Sequence, residues 1–343
     1  MRYLGGKFNL LKDIGNLVAQ SADKVSRIID IFSGSGVVSS YFKSLGYEVI
    51  GNDALYFSYV LSRGSTALDT IPTFEGLKME APLDYLNNLT LETAGLKLED
   101  CFVYQNYSPH DDVNRMYFQN DNAIKIDIIR LTVEEWKNSG LINEDEYFYL
   151  LSALISAVPY VSNITGVYGA YLKHWDKRTY KTLKLVNPMK IFGKGAASFY
   201  NLDCDSLLPI ISADVLYADP PYNSRQYLPN YHILETIARY DYPKIHGVTG
   251  MRNYGETQKS SFCSKTKVEE AFKRLIQRAN VRYVVISYNS EGLLTKEQLS
   301  KLCMEFAVKE SFQCQEIDYR RYNNSGTKKR NVSELLFFFE RAF

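Results

Sequence analysis

Short apolar runs alternate with helical patterns along much of this 343-residue chain. Residues 25–32 and 48–53 are rich in β-forming residues and predict two strands, and residues 37–45 between them have a helical pattern that ends at Gly46. Strands that alternate with helices are typical of an α/β fold with a mostly parallel sheet, in which ligands bind at the carboxyl ends of the strands.

The same pattern predicts further elements on either side of this unit. Residues 8–18 form an amphipathic run, residues 143–158 predict an apolar helix opened by Asn143, and residues 197–202 and 214–217 predict strands. Thr266-x-x-Glu269 and Thr295-x-x-Gln298 have the spacing of capping boxes and predict helices that run to residues 279 and 308.

Composition narrows the class of protein. A content of 45% hydrophobic and 23% charged residues is typical of a globular protein with one large or two smaller domains. No apolar run reaches about 18 residues and no leader-like segment opens the sequence, so we expect a cytoplasmic protein that is neither secreted nor membrane-spanning. The cysteines and histidines lack the spacing of a zinc site, so we expect no metal and a reducing compartment.

The net charge of +1 is unevenly distributed. Residues 69–112 are mostly acidic, whereas residues 173–194, 252–282 and 320–330 are basic, with interleaved tyrosines. Basic segments of this kind are expected where a protein binds a polyanion, although a solvated helix face has the same composition.

The loop Ser33-Gly34-Ser35-Gly36 joins the first predicted strand to its helix, and Asp53 ends the next strand. Glycines let a backbone approach a ligand at a helix amino end, and an acid at the neighbouring strand tip can bind ribose hydroxyls. Ser39 replaces the third glycine of a dinucleotide motif and no G-K-[ST] is present, which disfavours dinucleotides and P-loop nucleotides. S-adenosylmethionine, which carries adenosine without phosphates, fits best.

The segment Asp219-Pro220-Pro221-Tyr222 follows a predicted buried strand. The two prolines stiffen the turn and leave carbonyl oxygens free to accept hydrogen bonds, and Tyr222 offers a stacking face. A carboxylate, a free carbonyl and an aromatic ring together suit a planar amine such as a nucleobase. The alternative is a strand-ending turn with a surface aspartate and a packed tyrosine.

These segments carry a resemblance to a known family. Tyr3-Leu4-Gly5-Gly6-Lys7, residues 30–36, Asp53 and residues 219–222 occur in the order found in the Dam-like, or alpha, class of DNA adenine-N6 methyltransferases. The resemblance extends to residues 284–289 and 334–339, which look like later strands of the sheet. It implies a doubly wound, Rossmann-like methyltransferase sheet that binds S-adenosylmethionine and double-stranded DNA. It also implies a role in restriction–modification, beside a separately acting cognate endonuclease.

The resemblance assigns roles to individual residues. Asp219, Pro220, Pro221 and Tyr222 would hold an adenine flipped out of the duplex, and an acid that contacts the cofactor adenine is assigned to Asp203, with Asp205 as the alternative. The expected cofactor-binding set is Tyr3, Lys7, Phe32, Ser33, Gly34, Gly36, Asp53 and Asp203.

A domain division follows from the same resemblance. Residues 1–66 and 191–343 are the expected catalytic domain, and residues 67–190 are an inserted, largely helical target-recognition region. Residues 166–175 within it are either a loop that touches DNA or a lid packed on its own core. The DNA-binding candidates are Lys173, Lys177, Arg178, Lys181, Arg225, Arg320 and Arg321.

The chemistry expected at Asp219 is direct transfer to an amine. The adenine N6 lone pair is delocalised into the ring, and hydrogen bonds from N6 to the Asp219 carboxylate and the Pro220 carbonyl would favour attack on the methyl group. Methylation of cytosine C5 needs a cysteine nucleophile, usually after proline, and no cysteine here follows a proline. Three alternatives remain open: an RNA or small-molecule N-methyltransferase, a cytosine-N4 methyltransferase, and a non-catalytic DNA-binding relative.

Overall fold

One sheet organises the part of the chain that the computed structural model describes, residues 6–189, 195–319 and 332–342. The strands in chain order are β1 (Arg27–Asp30), β2 (Glu48–Asn52), β3 (Ala197–Tyr200), β4 (Ser212–Ala218), β5 (Ile245–His246), β6 (Met251–Arg252), β7 (Asn280–Asn289), β8 (Gln313–Tyr319) and β9 (Val332–Glu340). The seven-stranded sheet has the order β3-β2-β1-β4-β7-β9-β8, in which β9 is antiparallel to both of its neighbours and the other pairs are parallel. β5 and β6 pair separately.

The strand order reverses direction at β1. This strand pairs with β2 on one side and β4 on the other, with Ile29 opposite both Ile50 and Leu216. In a doubly wound sheet the crevice outside the carboxyl ends of the strands at such a point is where ligands bind. Asp30 ends β1 and Asp219 directly follows β4, so both carboxyl groups lie at this crevice. The predicted doubly wound α/β fold is confirmed.

Helices cover both faces of the sheet. The helices are α1 (Leu11–Ser21), α2 (Val37–Ser44), α3 (Tyr56–Arg63), α4 (Pro82–Asn88), α5 (Phe102–Tyr107), α6 (Asn120–Asn138), α7 (Glu144–Ala157), α8 (Cys204–Leu207), α9 (Tyr227–Arg239), α10 (Val268–Arg278) and α11 (Lys296–Phe306). Alternate residues of a strand point to opposite faces. Ile28 and Val215 pack with α1 and α2, whereas Ile29 and Leu216 pack with α10 and α11.

The helices α4 to α7, all within residues 67–190, do not form a separate core. Their buried side chains join one apolar cluster with Phe57 and Leu61 of α3 and with Ile233 and Ile237 of α9. The contact is close, because a Cβ atom added to Gly64 would lie 1.9 Å from the carbonyl oxygen of Phe148. Residues 67–190 therefore pack on the rest of the chain through α3 and α9.

Of the three helices for which a residue at the opening cap was predicted, two begin as expected. Asn143 opens α7 with a capping box, in which its Oδ1 accepts from the Glu146 N–H at 3.0 Å, and Thr295 opens α11 in the same way. The capping box at Thr266 is wrong. α10 begins only at Val268, whose N–H donates to the carbonyl of Ser264, and the Thr266 hydroxyl lies 3.2 Å from that of Ser264.

The other predicted element boundaries differ by a few residues. The predicted strand over residues 25–32 is reduced to β1, and the run over residues 8–18 divides into a short 3-10 turn and α1. Predicted strands over 284–289 and 334–339 are the central parts of β7 and β9. Among the described residues, no helix is both long and apolar enough to span a membrane.

Candidate active site

A cavity of about 370 Å³ lies at the carboxyl ends of β1, β2 and β4. Lys7, Gly34, Asp53 and Asp219 all line it, although they come from distant parts of the sequence. Residues from all four motifs that the sequence analysis selected therefore line one cavity. The other predicted site residues that line it are Phe32, Ser33, Asp203 and Pro221.

The glycine loop is shaped by two left-handed backbone conformations. Gly34 has φ 52° and Gly36 has φ 73°, and α2 begins at the next residue. Gly36 is not among the lining residues, but a Cβ atom there would lie 2.6 Å from the hydroxyl of Ser62. Conformation and the packing on α3 therefore both favour glycine at this position.

Asp53 holds the glycine loop in place. Its Oδ2 accepts a hydrogen bond from the Gly34 N–H at 2.8 Å, and its Oδ1 accepts from the Leu55 N–H at 2.8 Å. Burial raises the pKa of Asp53 to about 6, against the lowering effect of these two N–H groups. The carboxylate at the tip of β2 thus fixes the loop as well as lining the cavity.

Within residues 30–36, two buried polar side-chain atoms have no hydrogen-bond partner in the described part of the chain. They are Oδ1 of Asp30 and the hydroxyl of Ser33, and both residues line the cavity. The other oxygen of Asp30 accepts from the Ser39 hydroxyl at 2.6 Å, so the residue that replaces the third glycine has a structural role. Burial raises the pKa of Asp30 to about 7. Unpaired buried polar atoms that line a cavity are candidates for ligand contacts.

Lys7 lies between two carboxylates. Its Nζ is 3.0 Å from Oδ1 of Asp219 and 2.8 Å from Oε1 of Glu334, and its side chain is only 6% exposed. Ser287 donates a hydrogen bond to the same Oε1 at 2.7 Å. These carboxylates outweigh the cost of burial and raise the pKa of Lys7, so the amine stays protonated. Lys7 was predicted to contact the cofactor; it lines the cavity with Asp219 and Glu334 as its partners, and the cofactor contact stays a prediction.

The surroundings of Asp219 act on its pKa in opposite directions. Burial raises its pKa to about 7, Lys7 lowers it, and the Glu334 carboxylate raises it. Its side chain is 20% exposed, which leaves part of the carboxyl group open to the cavity. Burial and Glu334 therefore disfavour the charged form of this carboxyl group, which remains partly accessible from the cavity.

The residues after Asp219 differ in how they face the cavity. Pro221 lines it, whereas Pro220 is buried and Tyr222 packs against the apolar cluster under α10. The Tyr222 carbonyl accepts from the Leu293 N–H at 2.9 Å, which ties the turn to the segment after β7. Tyr227, at the start of α9, does line the cavity. The stacking role of Tyr222 stays a prediction, and Tyr227 is a second aromatic candidate.

Both candidate acids for the cofactor adenine line the cavity. Asp203 caps α8, since its Oδ1 accepts from the Asp205 N–H at 2.9 Å, and it lies three residues beyond the end of β3. Asp205 pairs with Nε of Arg274 at 3.1 Å. The choice between the two remains open.

The basic candidates for DNA binding fall into two groups. Lys173, Lys177, Lys181 and Arg225 are exposed. Arg178 is instead bound within its own loop, where it donates to the carbonyl of Ile164 and contacts the Asp176 carboxylate at 3.4 Å. Tyr3, Arg320 and Arg321 lie outside the described residues.

The sequence analysis did not select several residues of the site. Glu334 was assigned only to a strand, and Tyr217, Tyr227 and Glu235 were not selected, yet the last three line the cavity. An acid at the start of an otherwise apolar strand was the only available signal for Glu334. Within the described ranges, no group of three or more His, Cys, Asp or Glu residues could hold a metal ion.

Known proteins resemble this chain over nearly its whole length. The D12 class of N6 adenine-specific DNA methyltransferases matches residues 3–302. The type II methyltransferase M.FokI of Planomicrobium okeanokoites is 45% identical over 98% of this chain and 51% of its own length, and modification methylase StsI of Streptococcus sanguinis is 39% identical over 99% and 52%. This chain thus spans about half the length of these two relatives. The type II methyltransferase M.NlaIII of Neisseria lactamica is 35% identical, with 100% of both chains covered. The chain belongs to the D12 class of N6 adenine-specific DNA methyltransferases.

Proposed function

We propose that this protein transfers a methyl group from S-adenosylmethionine to the N6 amino group of adenine in double-stranded DNA. The observation that carries the proposal is that Asp219, the glycine loop and Asp53 all line one cavity. The relative named a modification methylase supports a role in restriction–modification. A cognate endonuclease that acts separately and a cytoplasmic location are further parts of the proposal.

The cavity fits an adenosine-bearing cofactor. Gly34 brings the backbone close to the cavity, Asp53 lies beside it, and Asp30 and Ser33 have buried polar atoms without partners there. S-adenosylmethionine would supply an electrophilic methyl group. Asp53 would bind ribose hydroxyls, and Asp203 or Asp205 the adenine amino group.

On the target side, Asp219 and the Pro220 carbonyl would accept hydrogen bonds from N6. These bonds localise the amine lone pair and orient it for in-line attack, which is where positioning contributes most to rate. The target amine is paired within a duplex, so the adenine must leave the base stack to enter the cavity. Tyr222 or Tyr227 would stack on the extruded base.

A direct assay tests the proposed reaction. The purified chain is incubated with labelled S-adenosylmethionine and duplex DNA, and the digested nucleosides are separated. We expect label in N6-methyldeoxyadenosine. Label in N4-methyldeoxycytidine, or only in RNA, would contradict the proposal and favour one of the alternatives.

Asp53 provides a test of the cofactor side. Asp53→Ala removes the acceptor for the Gly34 and Leu55 N–H groups as well as the carboxylate at the cavity. Loss of charged hydrogen bonds costs about 1.5–3 kcal/mol, so we expect S-adenosylmethionine to bind roughly 10- to 100-fold more weakly by calorimetry. Asp23→Ala, in an exposed turn, is the control. Equal affinity of Asp53→Ala and wild type would disprove the assignment.

The loop after α7 supports the proposal that residues 67–190 recognise DNA while residues 1–66 and 191–343 catalyse. Asn163 is buried, and its amide donates to the carbonyls of Met116 and Leu172 and accepts from the Asp176 N–H. A single side chain thus closes the loop of residues 163–176. Its exposed part includes Lys173.

The same loop is joined to α9 near the cavity. The Tyr168 N–H donates to the carbonyl of Asn230 at 2.8 Å, and the Tyr168 carbonyl accepts from Nε2 of His232 at 3.0 Å. Tyr227, one turn earlier in α9, lines the cavity. Contacts of the loop with DNA would therefore be made close to the extruded base.

Charge changes test this DNA-binding surface. Replacing Lys173, Lys177 and Lys181 with glutamine should weaken DNA binding and reduce the salt slope by up to about one for each lost phosphate contact. Affinity is measured by fluorescence anisotropy across a salt series. The matched control replaces three other exposed lysines, Lys12, Lys301 and Lys309. An unchanged slope in the first variant would show that the segment is only a solvated face.

A further inference from the structure

Glu334 is a buried acid on β9 that the proposed reaction does not use directly. Its side chain is 6% exposed, and its Oε1 is the shared partner of the Ser287 hydroxyl and Lys7 Nζ. Burying a carboxylate costs several kcal/mol unless its partners compensate. An apolar residue would suit the surrounding strand, in which Leu335, Leu336 and Phe337 are all buried. Packing alone therefore does not explain the acid at this position.

We propose that Glu334 is a positioning residue for transfer to the target amine, acting through Lys7 on Asp219. This inference rests on the proposed function, because that function assigns Asp219 to the amine. Glu334 itself would not touch the base.

Contacts among Glu334, Lys7 and Asp219 fix the position of the Asp219 carboxyl group. Lys7 Nζ is held by Glu334 at 2.8 Å and reaches Asp219 at 3.0 Å, so β9 fixes the cation that contacts the acceptor carboxyl. Ser287 on β7 donates to the same Glu334 oxygen and restricts its rotation. Three side chains from separate strands and turns thus determine where the Asp219 carboxyl group lies.

The charges of Glu334 and Lys7 also affect the ionisation of Asp219. Both carboxylate oxygens contact one nitrogen, so they lie within about 6 Å of each other, the range in which like charges disfavour ionisation. The other titratable groups facing Asp219 are Asp30 from β1, Tyr217 from β4 and Tyr227 from α9. A carboxyl group must be ionised to act fully as an acceptor, so charge at Glu334 and Lys7 should set the pH at which transfer begins.

Opposite changes in charge should shift this pH in opposite directions. Burial raises the pKa of Asp219 to about 7, so in the wild type kcat/KM should rise with pH through about 7. Glu334→Gln removes a negative charge without changing size and should move the rise to lower pH. Lys7→Met removes the positive charge and should move it to higher pH. Glu334→Asp keeps the charge and should restore a midpoint close to that of the wild type.

The experiment follows the midpoint in two ways on the full chain, by the pH dependence of kcat/KM at constant ionic strength and by ¹³C NMR of aspartate-labelled protein. Asp219→Asn assigns the Asp219 signal. Glu316→Gln is the matched control, because Glu316 lies on the neighbouring strand with an exposed carboxylate paired to Lys296. Its midpoint should equal that of the wild type.

The two readouts separate failure of this inference from failure of the proposed function. Opposite midpoint shifts in Glu334→Gln and Lys7→Met, in both readouts, support the inference. A loss of rate or thermal stability in Glu334→Gln without a moved midpoint would overturn it and leave only a structural contact. If the NMR midpoints move as expected but no DNA is methylated, the charge coupling stands and the proposed reaction fails. If Glu334→Gln does not fold, Glu334→Asp and Lys7→Met still test the coupling, and a Lys7→Met midpoint equal to that of the wild type would overturn it.

Discussion

Asp219→Ala should lower the rate of methyl transfer by about 100- to 1000-fold, the range seen when an active site loses one preorganised electrostatic contact. The carboxyl group lines the cavity and is partly exposed to it, and it is the acceptor assigned to the target amine. Without it, only the Pro220 carbonyl would remain to localise the N6 lone pair. Affinity for S-adenosylmethionine should stay nearly unchanged, because Asp219 lies on the target side.

Single-turnover transfer at saturating DNA measures the first effect, and calorimetry with the cofactor measures the second. Lys7 keeps Glu334 as a partner in this variant, so its buried charge is not left unpaired. Thermal unfolding checks that the fold survives. Near-normal turnover by Asp219→Ala would show that the assignment of the acceptor is wrong.

Arg130→Met should lower the free energy of unfolding by roughly 2–4 kcal/mol. Arg130 of α6 donates to the carbonyls of Ile237 and Ala238 near the end of α9, at 3.0 and 3.3 Å, and to the Tyr147 hydroxyl at 3.2 Å. A cation near a helix carboxyl end also interacts favourably with its dipole. The substitution leaves these two carbonyls without their donor and removes a polar link between α6 and α9, although the apolar contacts between the helices remain.

Denaturant unfolding measures this effect, with Arg282→Met as the matched control. Arg282 pairs with the Glu340 carboxylate at 2.9 Å and lies over the ring of Tyr283, but its side chain is 49% exposed. An exposed pair contributes about 0–1 kcal/mol, so the control should change little. Equal small losses of unfolding free energy in both variants would show that the Arg130 contacts between α6 and α9 contribute little to stability.

The sequence predicted the parts of the site that depend on neighbouring residues. A strand, a glycine loop and a helix follow one another within residues 27–44, and Asp219 directly follows β4, so local pattern was enough to find them. Thr266 shows where local pattern fails. Its spacing to Glu269 fits a capping box, but the helix begins at Val268, and the residue at its cap position, Lys267, makes no capping hydrogen bond with its side chain.

Contacts between distant segments could not be predicted in this way. Glu334 meets Lys7 only because β9 inserts beside β7 as an antiparallel strand, and no pattern in the sequence specifies that pairing. Charge counting also grouped Arg178 with the exposed lysines around it. The fold turns that side chain inward to Ile164, which composition alone does not reveal.

Mapping of modified bases in genomic DNA tests the central claim most directly. The chain is expressed in a host that lacks other DNA methylation, and Asp219→Ala is expressed in parallel. We predict N6-methyladenine at one short sequence in the first sample and none in the second. Modified cytosine, or adenine methylation that persists in the Asp219→Ala sample, would contradict the account.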